Sequence, residues 1–203
     1  KYVEKKSLIR ILKKNVSKKI VLIELKKPTS CQAETVYKAI QIGNIQGGIV
    51  IKDCDNTFKN NFNKKPSNEV MVLNLNNTDL IEAKSKSYVT FDKLDKIQNI
   101  VEKKVISDFF CCGAYSFQSS LDFLKFSKKL LSKSNDVYIS HVIYEMILNQ
   151  QIFKSKEVTN YIDWGTVREF RNFQRKYITL FCDFDGCLVV NGSKFGINGY
   201  NTN

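Results

Sequence analysis

The chain has 203 residues, of which 43% are hydrophobic and 26% are charged, and its formal net charge at pH 7 is +12. This composition is typical of a soluble globular protein with a buried core, and no apolar run is long enough to span a bilayer. The positive charge raises the hypothesis of nucleic-acid binding, but the lysines are spread along the chain and arginines are few. We therefore disfavour nucleic acid as a partner and expect a solvated basic surface that attracts phosphates non-specifically.

The start of the chain alternates helical and strand patterns. Up to residue 52 the predicted elements are an amphipathic helix at residues 3–14, a strand at 19–25, a helix through Ala33 and Ile40, and a strand at 48–52. Thr29 or Ser30 is expected to cap the second helix. Because strand, helix and strand follow one another, this region predicts the unit from which parallel sheets are built.

The rest of the chain is richer in strand patterns. Strands are predicted at residues 70–75, 88–91, 97–101, 109–117, 152–158 and 177–182, and helices at 121–131, 138–148 and through Phe170 and Phe173. The whole pattern predicts an α/β fold with a Rossmann-like, mostly parallel (mixed) sheet flanked by helices. We place the domain boundary near residues 174–176, so that residues 1–175 form one domain and residues 176–203 begin a second.

Residues 47–58 (GGIVIKDCDNTF) contain a strand pattern that ends on carboxylates. Asp53, Asp55 and Asn56 follow the apolar run directly, and open α/β sheets place ligands at the carboxyl ends of their strands. Two carboxylates beside an amide suit a hard cation such as Mg²⁺. The alternative is a strand that ends in an ordinary polar turn.

Five short motifs then follow one another along the chain. They are residues 27–36 (KPTSCQAETV), 49–56 (IVIKDCDN), 101–104 (VEKK), 111–117 (CCGAYSF) and 161–166 (YIDWGT). This succession resembles the sugar nucleotidyltransferases, which make nucleotide-sugars and pyrophosphate from a nucleoside triphosphate and a sugar phosphate. The resemblance covers roughly residues 1–172 and implies that family's fold, these two substrates and one Mg²⁺ ion.

The resemblance also implies roles for individual residues. It assigns the metal to Asp55 and Asp163, the nucleobase and phosphates to Gln32 and Ala33, the sugar hydroxyls and sugar phosphate to Glu102 and Lys103, and a close approach of the sugar to Gly113. Lys103 is expected to serve catalysis by orienting the attacking phosphate as a mobile point charge. Asp53 has a weaker claim than Asp55, because it points to the same face of the strand but lies deeper.

The chain also departs from the family pattern. Cys31 stands where the family commonly has Gly, and Lys104 replaces the Pro that usually follows the Lys. The family's opening Gly-rich loop, whose backbone N–H groups cradle the triphosphate, has no counterpart near Lys1. We therefore expect a partial nucleotidyltransferase domain that does not catalyse the transfer by itself, in a full-length protein that does.

A second resemblance concerns residues 181–192 (FCDFDGCLVVNG). A hydrophobic strand that ends in Asp-x-Asp-Gly-x-Leu resembles the first motif of the haloacid dehalogenase superfamily, which consists mostly of phosphatases. In that pattern Asp183 is the nucleophile and Asp185 the general acid and base, with Mg²⁺ beside them. A strand that ends in a turn at Gly186 remains the alternative.

Together these patterns predict a cytoplasmic, bifunctional enzyme for surface-polysaccharide (capsule) precursors, with a homo-oligomer left open. The alternatives are an Mg²⁺-dependent phosphatase with a non-catalytic nucleotide-binding domain, and a non-enzymatic binding module for nucleotides or nucleic acid. Six cysteines without a C-x-x-C pair, together with the single histidine His141, argue against a zinc site and favour reduced thiols. His141 is expected to be structural.

Overall fold

The structure, a computed structural model, describes residues 5–15, 20–60, 62, 65–78 and 82–175. The chain divides into two compact units, Lys1–Asp163 and Trp164–Asn203. The strand predicted at residues 177–182, with Asp183 and Asp185, lies outside the described residues, and the second domain therefore stays a prediction. Among the helices that are described, none combines the length and the hydrophobicity that a membrane-spanning segment requires.

The first unit contains helices and strands in irregular alternation. Its helices are α1 (Lys5–Asn15), α2 (Gln32–Ile42), α3 (Ser120–Leu131) and α4 (Ile139–Leu148). Its strands are β1 (Ile49–Lys52), β2 (Asn56–Lys59), β3 (Glu69–Asn74), β4 (Tyr88–Phe91), β5 (Ile97–Val101), β6 (Phe109–Phe117), β7 (Lys154–Glu157) and β8 (Thr159–Asp163). Two short 3₁₀ turns, Leu75–Asn77 and Ala83–Ser85, lie between β3 and β4.

Six of these strands form a mixed sheet in the order β5-β4-β6-β3-β7, in which β1 also pairs with β6. One edge of β6 pairs with β3 over most of its length, and its other edge is shared by β4 and β1. The strands β1, β3, β4 and β7 run in one direction, whereas β5 and β6 run in the other. The predicted α/β class with a mixed sheet is confirmed, although among the described strands only β3 and β7 pair in parallel within this sheet.

The strand β6 lies at the centre of the sheet, and its side chains are buried on both faces. Every residue of β6 after Phe109 is buried, as expected for an apolar strand covered on both sides. Its alternate residues belong to different cores: Phe117 packs in the larger cluster with Phe123 and Ile143 of the helices. Phe110 packs in the smaller cluster, which includes Val158 between β7 and β8. Helices α2, α3 and α4 therefore cover one face of the sheet.

A separate two-stranded sheet, β2 with β8, was not predicted. Its strands pair antiparallel, with Asn56 opposite Asp163 and Thr57 opposite Ile162. The predicted strand–helix–strand unit is not formed: residues 20–25 belong to no strand of the structure, and β1 pairs antiparallel with β6. A β-forming sequence becomes a strand only where a neighbouring strand pairs with it, and none of the described strands pairs with residues 20–25.

The N-terminus of α2 differs from the prediction as well. Its N-cap residue is Cys31, which makes no side-chain capping hydrogen bond, so neither Thr29 nor Ser30 is the cap. Instead Ser30 donates from its backbone N and from Oγ to Glu34 Oε2, at 2.6 and 2.8 Å. The carboxylate of Glu34, in the first turn, thereby holds the residue that precedes the N-cap against the helix.

The four described cysteines, Cys31, Cys54, Cys111 and Cys112, are free thiols, as predicted. Burial raises the pKa of both Cys111 and Cys112. His141 has the structural role expected of it, since its Nδ1 accepts a hydrogen bond of 3.3 Å from the backbone N–H of Tyr138 in the first turn of α4.

The described part of the second unit consists of Trp164 to Arg175 and contains the helix α5 (Val167–Gln174). A capping box begins α5: Glu169 N donates to Thr166 Oγ1 at 3.2 Å, and Thr166 N donates to Glu169 Oε2 at 3.1 Å. The rings of Trp164 and Phe173 are 5.1 Å apart, so the predicted short helix is confirmed and Trp164 packs beside it.

Candidate active site

The pairing of β2 with β8 brings together two carboxylates that are far apart in the sequence. Asp163 is the last residue of β8 and lies opposite Asn56, the first residue of β2. Asp55 directly precedes Asn56, is exposed, and accepts a hydrogen bond of 3.3 Å from Asn56 Nδ2. Of the two residues predicted as metal ligands, Asp163 therefore ends one strand of this small sheet and Asp55 immediately precedes the start of the other.

Lys52 organises the turn that carries Asp55. Although much of its side chain is exposed, its ammonium donates to three oxygens: Asp53 O at 2.7 Å, Asn56 O at 3.0 Å and Asn56 Oδ1 at 2.5 Å. Desolvation lowers the pKa of Lys52, while the nearby charges of Asp53 and Asp55 oppose that change. A positive charge thus holds the turn between β1 and β2 in one conformation.

Asp53, which had the weaker claim in the sequence, links two of the predicted substrate-binding residues. Its Oδ1 accepts a 2.5 Å hydrogen bond from Gln32 Nε2, and its backbone N donates to Gly113 O at 2.8 Å. Burial, and then the charge of Asp55, raise the pKa of Asp53 to about 6. Lys52, Lys86 and the Gln32 amide oppose this rise, so Asp53 lies at the centre of a dense set of charges.

The backbone conformation of Gly113 and the closeness of Asp53 both favour glycine at this position, which the sequence alone did not show. Its φ is +67°, and a Cβ at this position would lie 2.4 Å from Asp53 Oδ2 and 2.9 Å from Asn56 Nδ2. A side chain there would displace the carboxylate of Asp53 from its place beside β6. The close approach at Gly113 in this structure is therefore made by Asp53, and an approach of the sugar remains a prediction.

Asp163 is held by two residues that sequence reasoning missed. Lys86 forms an ion pair with Asp163 Oδ2, and the hydroxyl of Tyr161 donates to the same oxygen at 3.0 Å. The ammonium of Lys86 also reaches the Tyr161 hydroxyl, at 3.4 Å. Burial and the adjacent Asp163 charge raise the pKa of Tyr161, which keeps it a hydrogen-bond donor. Tyr161 belongs to the motif that contains Asp163, whereas nothing in the sequence singles out Lys86.

Glu102, predicted to bind sugar hydroxyls, is held by two serines. Ser87, which directly precedes β4, and Ser140, in the first turn of α4, both donate to Glu102 Oε2. Ser87 and Ser140 are buried, while Glu102 is half-buried. One carboxylate oxygen is thus committed to the protein, and this commitment fixes the direction of the other.

Lys103, the predicted phosphate-orienting residue, has a left-handed backbone with φ of +54°. Its backbone N donates to Lys86 O at 3.1 Å, which fixes the turn. Its ammonium contacts the hydroxyl of Tyr138 and lies 4.3 Å from the centre of that ring. The hydrogen bond to Tyr138 raises the pKa of Lys103. The side chain is exposed to solvent, so Lys103 is an accessible cation that Tyr138 holds in place.

The predicted residues therefore fall into two connected groups. In the first group Asp53 contacts both Gln32 and Gly113, and in the second Lys86 connects Asp163 to the backbone of Lys103. Ala33 is fully buried and donates from its backbone N to Val137 O at 3.2 Å, which fixes the start of α2. The catalytic pair predicted for the second domain, Asp183 and Asp185, lies outside the described residues.

The residues at this site fit one hard cation whose remaining ligands would be oxygens of the substrates. Within the residues that the structure describes, no group of three or more His, Cys, Asp and Glu side chains could enclose a metal. Mg²⁺ is usually held by one or two carboxylates together with substrate phosphates. The ion pair of Asp163 with Lys86 indicates that this position favours a positive charge. Burial raises the pKa of Asp53 most, and the charge of Asp55 adds to the rise; a cation beside Asp55 would offset that second contribution.

This mixed sheet with helices packed against one face is the α/β fold of the nucleotidyltransferases. The structure is similar to that of the nucleoside-diphosphate-sugar pyrophosphorylase from Vibrio cholerae RC9, with a TM-score of 0.69 and 19% identity over 85% of this chain and 77% of that chain. It is also similar to the inositol-1-phosphate CTP transferase from T. maritima, with a TM-score of 0.63 and 15% identity over 81% of this chain and 67% of that chain. No protein-family model and no curated protein matches the sequence.

Proposed function

We propose that the full-length protein transfers a nucleotidyl group from a nucleoside triphosphate to a sugar phosphate. The observation that carries this proposal is the register of β2 with β8, in which Asn56 lies opposite Asp163 and Asp55 is adjacent. Two carboxylates at one sheet end suit a cation shared with phosphates. The fold shared with the pyrophosphorylase and CTP transferase structures supports the same class of reaction.

In this reaction a phosphate oxygen of the sugar phosphate attacks the α-phosphorus of the triphosphate. The bond from the α-phosphorus to the bridging oxygen of the β-phosphate breaks, and pyrophosphate leaves with the electron pair. Such a transfer depends on positioning and charge neutralisation more than on a covalent nucleophile. Asp55 and Asp163 would hold Mg²⁺, which supplies charge neutralisation at the phosphates.

The other residues of the site bind and orient the two substrates. Lys103, an accessible cation at the site's edge, orients the attacking phosphate. Glu102, with one oxygen occupied by Ser87 and Ser140, presents its other oxygen to hydroxyl groups of the sugar. Gln32, fixed by Asp53 at the start of α2, contacts the nucleobase.

The second resemblance supports a further activity in the same protein. The Asp183-Phe184-Asp185-Gly186 pattern leads us to propose a haloacid dehalogenase-like phosphatase fused to the transferase, in a pathway for surface-polysaccharide precursors. Asp183→Asn in the full-length protein would then abolish phosphate-ester hydrolysis and leave nucleotidyl transfer intact. Loss of both activities in that variant would contradict two separate sites.

The experiment that tests the main proposal measures products directly. The full-length protein is incubated with Mg²⁺, each of the common nucleoside triphosphates and a panel of sugar and polyol phosphates. We expect one combination to release pyrophosphate and to yield, by mass spectrometry, the matching nucleotide-sugar or nucleotide-polyol. Hydrolysis of the triphosphate without a joined product, or no turnover with any combination, would contradict nucleotidyl transfer.

A further inference from the structure

Lys86 balances the most deeply buried carboxylate of the site. The side chain of Asp163 is only 2% exposed, and that of its ion-pair partner Lys86 is 19% exposed. A carboxylate buried this far is strongly destabilising without a counter-charge. The Tyr161 hydroxyl contributes a hydrogen bond of 3.0 Å to the same oxygen but brings no charge, whereas the ammonium of Lys86 supplies a positive charge at Asp163 Oδ2.

The same residue also contacts the other half of the site through its backbone. Lys86 O accepts the 3.1 Å hydrogen bond from Lys103 N, at the residue whose φ is +54°. The side chain of Lys86 therefore acts on the predicted metal side, and its carbonyl acts on the predicted phosphate side. A substitution of the Lys86 side chain removes the ion pair with Asp163 but keeps the backbone carbonyl that accepts from Lys103 N. The two roles of Lys86 can therefore be tested separately.

Charge balance limits what the site can take up. Three carboxylates, those of Asp53, Asp55 and Asp163, are opposed by the ammonium groups of Lys52 and Lys86. With all five groups charged, one net negative charge remains. Before any substrate binds, a single divalent cation reverses the sign to a small positive charge that attracts phosphates.

We propose that Lys86 is a positioning residue that stands in for the divalent cation at Asp163. Its ammonium holds the buried carboxylate in place before the cation binds, and the two positive charges then share or exchange this position. The inference rests on the cation site of the proposed function. Because both charges favour the same carboxylate, Lys86 and the cation are coupled antagonistically, and removal of the ammonium strengthens cation binding.

The test measures Mn²⁺ binding to the chain by electron paramagnetic resonance. Lys86→Met should bind Mn²⁺ more tightly than the wild type, on the order of tenfold. In chelator, Lys86→Met should also have a lower thermal unfolding midpoint than the wild type. Addition of Mn²⁺ should raise the midpoint of Lys86→Met by more than it raises that of the wild type. The matched control is Lys84→Met, which removes an exposed lysine two residues away and should leave Mn²⁺ affinity unchanged.

A second variant keeps the test decisive if Lys86→Met does not fold. Arginine retains the charge and can hold a carboxylate through two hydrogen bonds, so Lys86→Arg should fold and bind Mn²⁺ several-fold more weakly than the wild type. Unchanged or weaker Mn²⁺ binding in Lys86→Met, or unchanged or tighter binding in Lys86→Arg, would overturn the inference. So would a failure of every variant to bind Mn²⁺.

These outcomes are independent of the transfer reaction. Tighter Mn²⁺ binding by Lys86→Met in a protein that forms no nucleotide-sugar would overturn the proposed function and leave the role of Lys86 standing. If the protein catalyses nucleotidyl transfer but Lys86 variants do not change its Mn²⁺ affinity, the proposed function would stand and the role of Lys86 would be overturned.

Discussion

The Nε2 atom of Gln32 donates a hydrogen bond of 2.5 Å to Oδ1 of Asp53, which ties the first residue of α2 to the end of β1. Because Asp53 N also donates to Gly113 O, one aspartate connects a helix, a turn and the central strand. The arrangement holds Gln32, predicted to bind the nucleotide, and Gly113, predicted to approach the sugar, to the same aspartate. It depends on a carboxylate whose own burial is unfavourable.

Replacement of Gln32 by methionine tests this connection. The change keeps the length of the side chain but removes the donor to the half-buried carboxylate of Asp53, and we expect the free energy of unfolding to fall by about 1–2 kcal/mol. Urea unfolding followed by circular dichroism measures the difference. The control is Gln41→Met, on the exposed side of the same helix, which should change stability by less than about 0.5 kcal/mol. Equal effects of the two substitutions would contradict the connecting role of Gln32.

Gly113→Ala tests the close approach of Asp53 to β6. The left-handed backbone costs alanine about 1–2 kcal/mol, and the added Cβ would also lie 2.4 Å from Asp53 Oδ2, for a further cost of about 1–3 kcal/mol. Gly47→Ala is the matched control, since Gly47 has φ of +82° and no atom within 4 Å of an added Cβ. In urea unfolding we expect Gly113→Ala to lose about 2 kcal/mol more than Gly47→Ala. If the two variants lose the same stability, the contact with Asp53 is not a constraint.

Most of the main sheet could be predicted from the sequence because its strands are continuous runs of apolar and aromatic residues. The bounds of β4, β5 and β6 were predicted to the residue, and α3 and α4 to within one residue. Residues 20–25 show the limit of this reasoning, since strand propensity alone does not supply a partner. The same limit applies to β2 and β8, which are short, largely polar and paired across most of the chain.

The site was predicted in outline only, and mainly through the order of motifs. That order brought Asp55 and Asp163 together as a hypothesis, and the register of β2 with β8 supports their proximity. The order of motifs could not reveal Lys86, because the sequence gives no reason to select one lysine among many, and only the fold brings Lys86 into an ion pair with Asp163. It also underrated Asp53, whose partners Gln32 and Gly113 come from distant parts of the sequence.

Stability should depend on pH through Glu34. Hydrogen bonds from Lys38 and from the backbone and hydroxyl of Ser30 lower the pKa of Glu34 from 4.5 to about 2. The folded state therefore releases this proton more readily than the unfolded state. The resulting stabilisation is complete above the unfolded-state pKa and is lost as the pH falls from about 4.5 to about 2.

The measurement compares the wild type with Glu34→Gln in urea unfolding between pH 7 and pH 2. The wild type should be the more stable protein at pH 7, and the difference should shrink steadily below pH 4.5. Glu82→Gln, which removes an exposed charge elsewhere, serves as the control for net charge. A stability difference that stays constant across this pH range would show that the Glu34 contacts do not distinguish the folded state.

The central claim is that Asp55 and Asp163 together serve nucleotidyl transfer, and the most direct measurement follows label from the α-phosphate of the triphosphate into the nucleotide-sugar. With the full-length protein and Mg²⁺, Asp55→Asn and Asp163→Asn should each lower kcat on the order of a thousandfold, because the carboxylate charge that holds the cation is lost. Asp95→Asn should retain wild-type turnover, since Asp95 is exposed and asparagine tolerates its φ of +61°. Full activity in either Asp55→Asn or Asp163→Asn would contradict the account.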